Sequence, residues 1–334
     1  METLRAGVIG VGYLGRFHAE KYARIPGVAL AAIADTDAAR GQELANRLGA
    51  HFVANYHDLF GRVDLVSICV PTPLHHGVTQ DCLQADLHVL VEKPLTRTTE
   101  EAEALIALAA ARRRVLQVGH LKRFHPAIQA LRRSGLVTRP RFVRARRLAP
   151  FKNRALDVDV CLDLMIHDCD LVLEFMPAPL VHVEAIGARI LSGYTDLAQA
   201  RLRFADGSIA QVEASRVSGE SLRRLELFQE ESLLEVDFIG KRVSVQEKVA
   251  GRSMELAGIP VPEVVRRELE VPDYDTLEAQ IASFCHAVAS GGRPLVSGEE
   301  GLRALQVVQT IQAAIADQEK HFHAWWSERE SGSR

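Results

Sequence analysis

Residues 6–22 read AGVIGVGYLGRFHAEKY, a short apolar run followed by three closely spaced glycines and the start of a helical pattern. Gly10, Gly12 and Gly15 form the pattern G-x-G-x-x-G. In dinucleotide-binding turns, the first glycine allows the tight turn, the second lets the backbone approach a pyrophosphate, and the third permits close helix packing. The N-terminus of the following helix offers free N–H groups to phosphates. The stretch therefore predicts a bound dinucleotide.

An acidic residue lies at the spacing expected for ribose recognition. Asp35 ends the next predicted strand, 20 residues after Gly15. Its carboxylate would accept hydrogen bonds from both ribose hydroxyls and repel a 2′-phosphate, so we expect NAD rather than NADP. Arg40 is the main nearby cation that could favour a phosphate instead. Tyr13 and Leu14 complete the predicted cofactor-binding turn.

The first 120 residues alternate short apolar runs with helical segments, which is the pattern of βαβ units in a parallel sheet. Strands are predicted at Arg5–Ile9, Ala29–Ala34, Leu65–Val70, His88–Val91 and Arg114–Val118. Helices are predicted at Leu14–Arg24, Ala38–Leu48, His75–Gln84 and Thr99–Ala111. This order predicts an N-terminal nucleotide-binding domain over residues 1–120.

The remainder of the chain has a different texture. Period-two alternation dominates after residue 140, and Asp206-Gly207 between two alternating runs is a hairpin signal. Helices return at Leu277–Ala289 and Glu299–Gln318. We therefore predict an α/β protein whose second domain, residues 121–334, is an α+β domain with a largely antiparallel sheet.

Composition narrows the class of protein. Of the 334 residues, 47% are apolar and 25% are charged, which excludes a mainly disordered chain. No targeting segment is visible, and no apolar run reaches the roughly 18 residues that a bilayer span needs. The five cysteines never form C-x-x-C and lie in apolar runs, as expected of reduced thiols in a cytoplasmic protein. We expect no metal site and no membrane partner.

Basic residues concentrate in the middle of the chain. From Ala104 to Leu156 there are fourteen Lys and Arg residues and no Asp or Glu, on a protein of net charge −3. This segment, the basic block, has two interpretations: a surface paired with acids from elsewhere, or a site for a phosphate-bearing ligand. Nucleic acid is not expected, because the block has few aromatic residues and the whole chain is not basic.

Three further motifs carry a family resemblance. Glu92-Lys93-Pro94 follows the strand HVLV, CVPTPLHH occurs at residues 69–76, and DLMIHDCD occurs at residues 163–170. Together with the glycine-rich turn, in this order, they resemble the family of glucose–fructose oxidoreductase and inositol 2-dehydrogenase. The resemblance runs along nearly the whole chain. It implies a doubly wound Rossmann domain followed by a domain whose open-faced sheet builds homodimers or homotetramers.

The resemblance also implies which residues act on a substrate. Lys93, Asp163 and His167 would line the site where the substrate lies on the nicotinamide. Alcohol oxidation removes a hydroxyl proton while hydride leaves the same carbon, so it needs a base and a positive group for the developing alkoxide. His167 suits the base and Lys93 the alkoxide, although either could hold the proton finally. Asp163 would orient its neighbours.

Other site residues follow from the same resemblance. Pro71, Thr72 and His75 would line the nicotinamide ribose, with Glu92 and Lys93 beside the cofactor; a loop stiffened by proline and capped by Thr72 is the structural alternative. Residues approaching the substrate would be His120, Arg123 and Phe124, or they would only link the domains.

The helix LDLMIHDCDL, residues 162–171, contains more acids than the chemistry needs. In a regular helix, Asp163, His167 and Asp170 would share one stripe. We assign Asp163 and His167 to chemistry, and interpret Asp168 and Asp170 as structural.

Within the family, the segments QVGHLKRFHP and LDLMIHDCDLVL are most similar to the branch that oxidises nucleotide sugars, in particular C3 of UDP-N-acetylglucosamine, with NAD. The basic block agrees with a diphosphate. Two alternatives stay open: a dehydrogenase of a free sugar or polyol, and a non-catalytic NAD-binding regulator. A non-catalytic regulator would not need a base and an alkoxide stabiliser, so the presence of Lys93, Asp163 and His167 argues against that alternative.

Overall fold

A computed structural model of the chain describes residues 3–152, 158–257 and 259–332. The chain divides into two compact units. The first unit comprises Met1–Phe124 and Tyr274–Leu305, and the second comprises His125–Asp273 and Gln306–Arg334. The segment 274–305, which sequence reasoning assigned to the second domain, thus packs with the first unit.

The first unit contains a six-stranded parallel sheet. Its strands are β1 (Leu4–Ile9), β2 (Val28–Ala34), β3 (His51–Val53), β4 (Leu65–Ile68), β5 (His88–Val91) and β6 (Leu116–Val118). The order β3-β2-β1-β4-β5-β6 is that of a doubly wound Rossmann sheet, as predicted. The strand β3 was not predicted.

Helices follow the strands of this sheet. They are α1 (Gly15–Tyr22), α2 (Ala38–Leu48), α3 (His75–Gln84) and α4 (Thr99–Arg112). Local sequence sets their ends: Asp37 caps α2, whose helix ends at Gly49 in the left-handed conformation, and Thr98 with Glu101 forms a capping box at α4. Buried aliphatic residues of the central strands, such as Val66 and Leu90, form the core on both faces of the sheet.

The second unit contains an eight-stranded sheet of order β14-β13-β12-β11-β7-β10-β9-β8. Its strands are β7 (Phe142–Leu148), β8 (Leu180–Ala188), β9 (Leu197–Phe204), β10 (Ile209–Ser215), β11 (Leu222–Phe228), β12 (Ser232–Asp237), β13 (Arg242–Leu256) and β14 (Ile259–Glu268). Neighbouring strands are antiparallel except β7 and β10, which are parallel. The largely antiparallel sheet is confirmed, and the predicted hairpin at Asp206-Gly207 joins β9 to β10.

The remaining helices are α5 (Pro126–Ser134), α6 (Ile166–Phe175), α7 (Thr276–Ser290) and α8 (Gly298–Gly332). The last helix continues well past Gln318, where the sequence pattern placed its end. In the second unit, one face of the sheet is covered: Val143 and Ala145 of β7 are fully buried, whereas Arg144 between them is only half-buried on the other face. Over the described part of the chain, no helix is long and apolar enough to span a bilayer.

Candidate active site

The glycine-rich turn has the geometry that the sequence predicted. Gly10 has a φ of +83°, a conformation that side chains disfavour, and a Cβ there would lie 2.9 Å from the carbonyl oxygen of Cys69. A Cβ at Gly15 would lie only 1.8 Å from the carbonyl oxygen of Gly10. A Cβ at Gly12 would meet no atom within 4 Å. Two glycines are thus required by the turn itself, while Gly12 leaves open space for a ligand.

Asp35 lies beside this turn at the end of β2. Its buried carboxylate accepts hydrogen bonds from the backbone N–H of Val11 at 2.7 Å and of Asp37 at 2.8 Å. Arg40 forms an ion pair with it at 2.7 Å. Burial raises the pKa of Asp35, but the hydrogen bonds from Arg40, Asp37 and Val11 outweigh it and lower the pKa overall. The carboxylate is thus ionised and fixed at the nucleotide side of the turn.

Exposed side chains surround the same turn. Tyr13 is largely exposed and Leu14 partly so. The guanidinium of Arg16 lies 4.6 Å from the ring centre of Phe17. A pocket of about 290 Å³ is lined by Val11, Gly12, Tyr13, Arg16, Arg40, Glu43, Leu44 and Arg47. This pocket adjoins the Asp35–Arg40 pair, which is where the adenosine half of a dinucleotide is expected.

The loop after β4 carries the residues predicted for the nicotinamide ribose. Pro71 is exposed, and Thr72 begins a short 3₁₀ helix, Thr72–Leu74. His75 is buried, and its ring nitrogens lie 2.7 Å from the carbonyl oxygen of Pro94 and 2.9 Å from that of Val70. His75 therefore ties this loop to the Glu92-Lys93-Pro94 turn.

Glu92 and Lys93 follow β5 at the same carboxyl edge of the sheet. Both are half-buried, and the backbone N–H of Glu92 donates to the carbonyl of Ile68 at 3.0 Å. The peptide bond between Lys93 and Pro94 is cis. Because β1, β2, β4, β5 and β6 are parallel, the predicted residues of the first unit lie along one edge, where open α/β sheets bind ligands.

The three predicted substrate residues of the first unit follow β6. His120, Arg123 and Phe124 are all buried, the last two within the 3₁₀ helix Leu121–Phe124. Phe124 packs in the apolar core of the unit, and its carbonyl accepts a hydrogen bond from Tyr274 at 3.1 Å. A packing role for Phe124 is therefore observed, whereas a substrate role for these residues stays a prediction.

Asp163 and His167 lie in the second unit, at an irregular helical segment. Cys161–Met165 is a π-helix that leads directly into α6, and the N–H of Ile166 donates to the carbonyl of Cys161, five residues earlier. The stripe expected from the spacing assumed a regular α-helix, whereas the structure has a π-turn at Asp163 and an α-helix from Ile166 onward. Such turns are frequent at functional sites. Both Asp163 and His167 are half-buried.

The neighbouring Asp168 has a structural contact, as predicted. Its carboxylate forms two hydrogen bonds of 2.7 Å with the guanidinium of Arg147, and both side chains are buried. Asp170 is also buried. Sequence reasoning missed Asp159, whose carboxylate accepts from the backbone N–H of Cys161 at 2.8 Å and from the side chain of Gln312. This contact fixes the start of the π-turn.

Many of the described arginines of the basic block form ion pairs. Its last residues, 153–156, lie outside the described part of the chain. Several of its arginines pair with carboxylates outside the block. These pairs are Arg112 and Arg114 with Asp86, Arg132 with Glu174, Arg144 and Arg146 with Glu226, and Arg147 with Asp168. These six arginines agree with the interpretation in which the block pairs with acids from elsewhere in the chain.

In the ranges that the structure describes, no group of three or more His, Cys, Asp and Glu side chains is arranged to hold a metal ion.

The sheet order, the glycine-rich turn and the ionised Asp35 define an NAD-binding oxidoreductase. A family model described as the oxidoreductase family with an NAD-binding Rossmann fold matches residues 4–120. A second model, the C-terminal domain of the same family, matches residues 126–235. The chain therefore belongs to the Gfo/Idh/MocA oxidoreductase family, which confirms the resemblance, the fold class and the cofactor NAD.

Relatives within the family differ in similarity. The UDP-N-acetylglucosamine 3-dehydrogenase of Acidithiobacillus ferrooxidans is 42% identical over 316 residues, covering 94% of this chain and 98% of its own. A solved structure of that enzyme has a TM-score of 0.87, covering 94% of this chain and 98% of that chain. The myo-inositol 2-dehydrogenase of Thermotoga maritima is 28% identical, covering 90% of this chain and 93% of its own.

Proposed function

We propose that this protein is an NAD-dependent dehydrogenase that oxidises the C3 hydroxyl of UDP-N-acetylglucosamine to the 3-keto sugar. The observation that carries the proposal is the 42% sequence identity, over almost the full length, to the UDP-N-acetylglucosamine 3-dehydrogenase of Acidithiobacillus ferrooxidans. Lys93, Asp163 and His167, which the family resemblance assigns to the reaction, are all present in the chain. A free sugar or polyol such as inositol is the alternative substrate, favoured by the inositol dehydrogenases among the relatives and by the pairing of the basic block with acids.

The proposed chemistry divides among three side chains. NAD, when bound, supplies the hydride acceptor. His167 takes the hydroxyl proton, because imidazole titrates near neutral pH. Lys93 stabilises the negative charge that develops on the oxygen, and Asp163 orients its neighbours. The half-buried state of all three side chains agrees with groups that are partly shielded from water yet reachable.

Cofactor binding follows from the first unit. The N-terminus of α1 and the open space over Gly12 suit a pyrophosphate. The Asp35 carboxylate, held by the N–H groups of Val11 and Asp37, suits the ribose hydroxyls. Pro71, Thr72 and His75, with Glu92 and Lys93, form the proposed nicotinamide side, and His120 and Arg123 the proposed substrate side.

A substrate comparison tests the proposal. The protein, in amount equal to NAD, is mixed with UDP-N-acetylglucosamine, free N-acetylglucosamine or myo-inositol, and NADH absorbance is recorded. Equal amounts reveal a single turnover even if the cofactor stays bound. We expect NADH only with the UDP-sugar; NADH from inositol and none from any UDP-sugar would overturn the proposal. Thermal stabilisation by the UDP-sugar in the presence of NAD gives an independent binding measurement.

We further propose that the protein is a homodimer or homotetramer that associates through the uncovered face of the eight-stranded sheet. A groove of about 1130 Å³ runs along this face beside α8, and Ile186, Phe322 and Trp325 line it. These three apolar side chains are about half exposed. Exposed apolar surface of this kind marks interaction sites.

The proposed compartment is the cytoplasm. All five cysteines are free thiols, and four of them are buried. Free thiols agree with a reducing compartment.

A further inference from the structure

A buried hydrogen-bonded chain joins the cofactor-binding helix to the Glu92-Lys93-Pro94 turn. The hydroxyl of Tyr22 lies 2.9 Å from the hydroxyl of Ser67, which lies 3.0 Å from Nδ1 of His18. Nε2 of His18 lies 3.1 Å from the carboxylate of Glu92. Tyr22, Ser67 and His18 are completely buried. All the residues of this hydrogen-bonded chain belong to the first unit.

The carboxylate of Glu92 fixes the direction of its hydrogen bond with His18. A carboxylate only accepts hydrogen bonds, so Nε2–H of His18 donates to Glu92. A neutral ring accepts at Nδ1 from the Ser67 hydroxyl and a charged ring donates to it, so Nε2–H is the donor to Glu92 in both protonation states. Burial raises the pKa of Tyr22, which keeps its hydroxyl protonated. Each of the four groups is thus used, and the Glu92 carboxylate receives a donor with a defined direction.

The Glu92 carboxylate is confined on its other side. A Cβ added at Gly119 would lie 2.8 Å from Oε1 of Glu92, so the carboxylate occupies the space that a side chain at residue 119 would need. The carbonyl of Pro94 is held by His75 at 2.7 Å. Two buried histidines thus hold the residues on either side of Lys93, His18 through Glu92 and His75 through Pro94.

We propose that His18 is a positioning residue for hydride transfer: by fixing Glu92, it sets the direction of Lys93 at the carboxyl end of β5. The inference rests on the proposed function of Lys93. Since His18 lies in α1, whose N-terminus faces the cofactor turn, one rigid connection places both the dinucleotide and Lys93. Small displacements of a reacting group slow catalysis: a misplacement of about 1 Å can lower the rate by ~10²-fold.

Two isosteric variants separate positioning from packing. In His18→Gln the side-chain amide lies at the level of Nε2 and still donates to Glu92, whereas in His18→Asn it lies at the level of Nδ1 and contacts only Ser67. We expect His18→Asn to lower kcat by about tenfold or more with the Kd of NAD changed less than about twofold, and His18→Gln to restore kcat. Equal losses in both variants, or none in either, would overturn the proposal.

Controls keep the outcome clear. Tyr22→Phe removes the far end of the chain and leaves the contact with Glu92, so kcat should not change. If His18→Asn does not fold, Glu92→Gln weakens the same hydrogen bond from its other end and should lower kcat; an unchanged kcat would refute the inference.

A measurement without sugar distinguishes this inference from the proposed reaction. Fluorescence of bound NADH reports the nicotinamide environment. It should change in His18→Asn and match the wild type in His18→Gln, whichever sugar is the substrate. An unchanged spectrum in His18→Asn would count against the positioning role, whereas failure of the proposed substrate would appear in the wild-type assay.

Discussion

His167 and Asp168 are neighbours in the sequence, yet their surroundings differ. Asp168 is buried in an ion pair with Arg147, whereas His167 is half-buried in the first turn of α6. The family resemblance supported this division, because it assigns Asp163 and His167, but not Asp168, to the chemistry. It could not supply the partner of Asp168, since Arg147 lies on a strand 21 residues away and only the tertiary fold brings them together.

The proposed role of His167 as the general base is tested by His167→Ala. We expect hydride transfer to fall by ~10²-fold or more, because general base catalysis contributes a factor of this size. NAD affinity should be unchanged, since the glycine-rich turn and Asp35 are untouched. His286→Ala, at an exposed histidine on α7, is the control. Single-turnover rates measure both variants, and a His167→Ala rate equal to that of the control would remove His167 from this role.

We predict that Asp35 sets the preference between the two nicotinamide cofactors. Replacing it with Asn removes the negative charge and releases Arg40, which then can pair with a 2′-phosphate. We expect the ratio of kcat/KM for NAD to that for NADP to fall by about tenfold or more, as for the loss of a charged hydrogen bond. Arg40→Gln is the control and should retain the NAD preference. If Asp35→Asn leaves the ratio unchanged, Asp35 does not select the cofactor.

At the scale of elements, regular segments were predicted well and irregular ones were not. The strands β1, β2, β4, β5 and β6 were predicted with bounds shifted by at most two residues. The strand β3, His51–Val53, has only three residues, which is too short for a periodic pattern. The π-turn Cys161–Met165 has no signal of its own, because its sequence is also typical of an α-helix. Its position depends on Asp159 and on Gln312 of α8, a contact across 153 residues.

The loop between β8 and β9 is stabilised by one buried carboxylate. Burial raises the pKa of Asp196, but hydrogen bonds from the Ser192 hydroxyl and from the backbone N–H groups of Leu191, Ser192 and Ile190 lower it to about 2. The folded pKa is below the unfolded one, so this stabilisation is complete above the unfolded pKa and is lost as pH falls through the folded pKa.

We expect Asp196→Asn to reduce the free energy of unfolding by about 2 kcal/mol at neutral pH. The difference from the wild type should shrink below about pH 4, as the wild-type carboxylate becomes protonated. Urea denaturation at a series of pH values measures it, with Asp58→Asn as a control at an exposed aspartate of the first unit. A difference that stays constant down to pH 3 would show that ionisation of Asp196 does not stabilise the fold.

At the scale of the whole molecule, local sequence patterns could not predict that segment 274–305 packs with the first unit. Its helix α7 buries Ile281 and Phe284 in the same apolar cluster as β1 and α1, and Lys21 pairs with Asp275 at 2.7 Å. These contacts join residues more than 250 positions apart. Periodicity identified the helix but carries no information on which sheet it packs against.

Subunit association is tested on the uncovered face of the second sheet. Strand register places Glu184 opposite Arg201, and Ile186, two residues further along β8, lies on the same face. We expect Ile186→Lys to shift the protein towards the monomer, because a charge replaces an apolar contact. Leu74→Lys, at an exposed leucine of the first unit, should leave the mass unchanged. Light scattering after size exclusion measures both; an oligomer unaffected by Ile186→Lys would place the interface elsewhere.

The proposed reaction is tested most directly by isotope transfer. UDP-N-acetylglucosamine carrying deuterium at C3 is incubated with the protein and NAD, and the products are analysed by mass spectrometry. The account predicts reduced cofactor that carries the deuterium, together with a 3-keto nucleotide sugar. Reduced cofactor without deuterium, or none at all while a free sugar or inositol is oxidised, would contradict it.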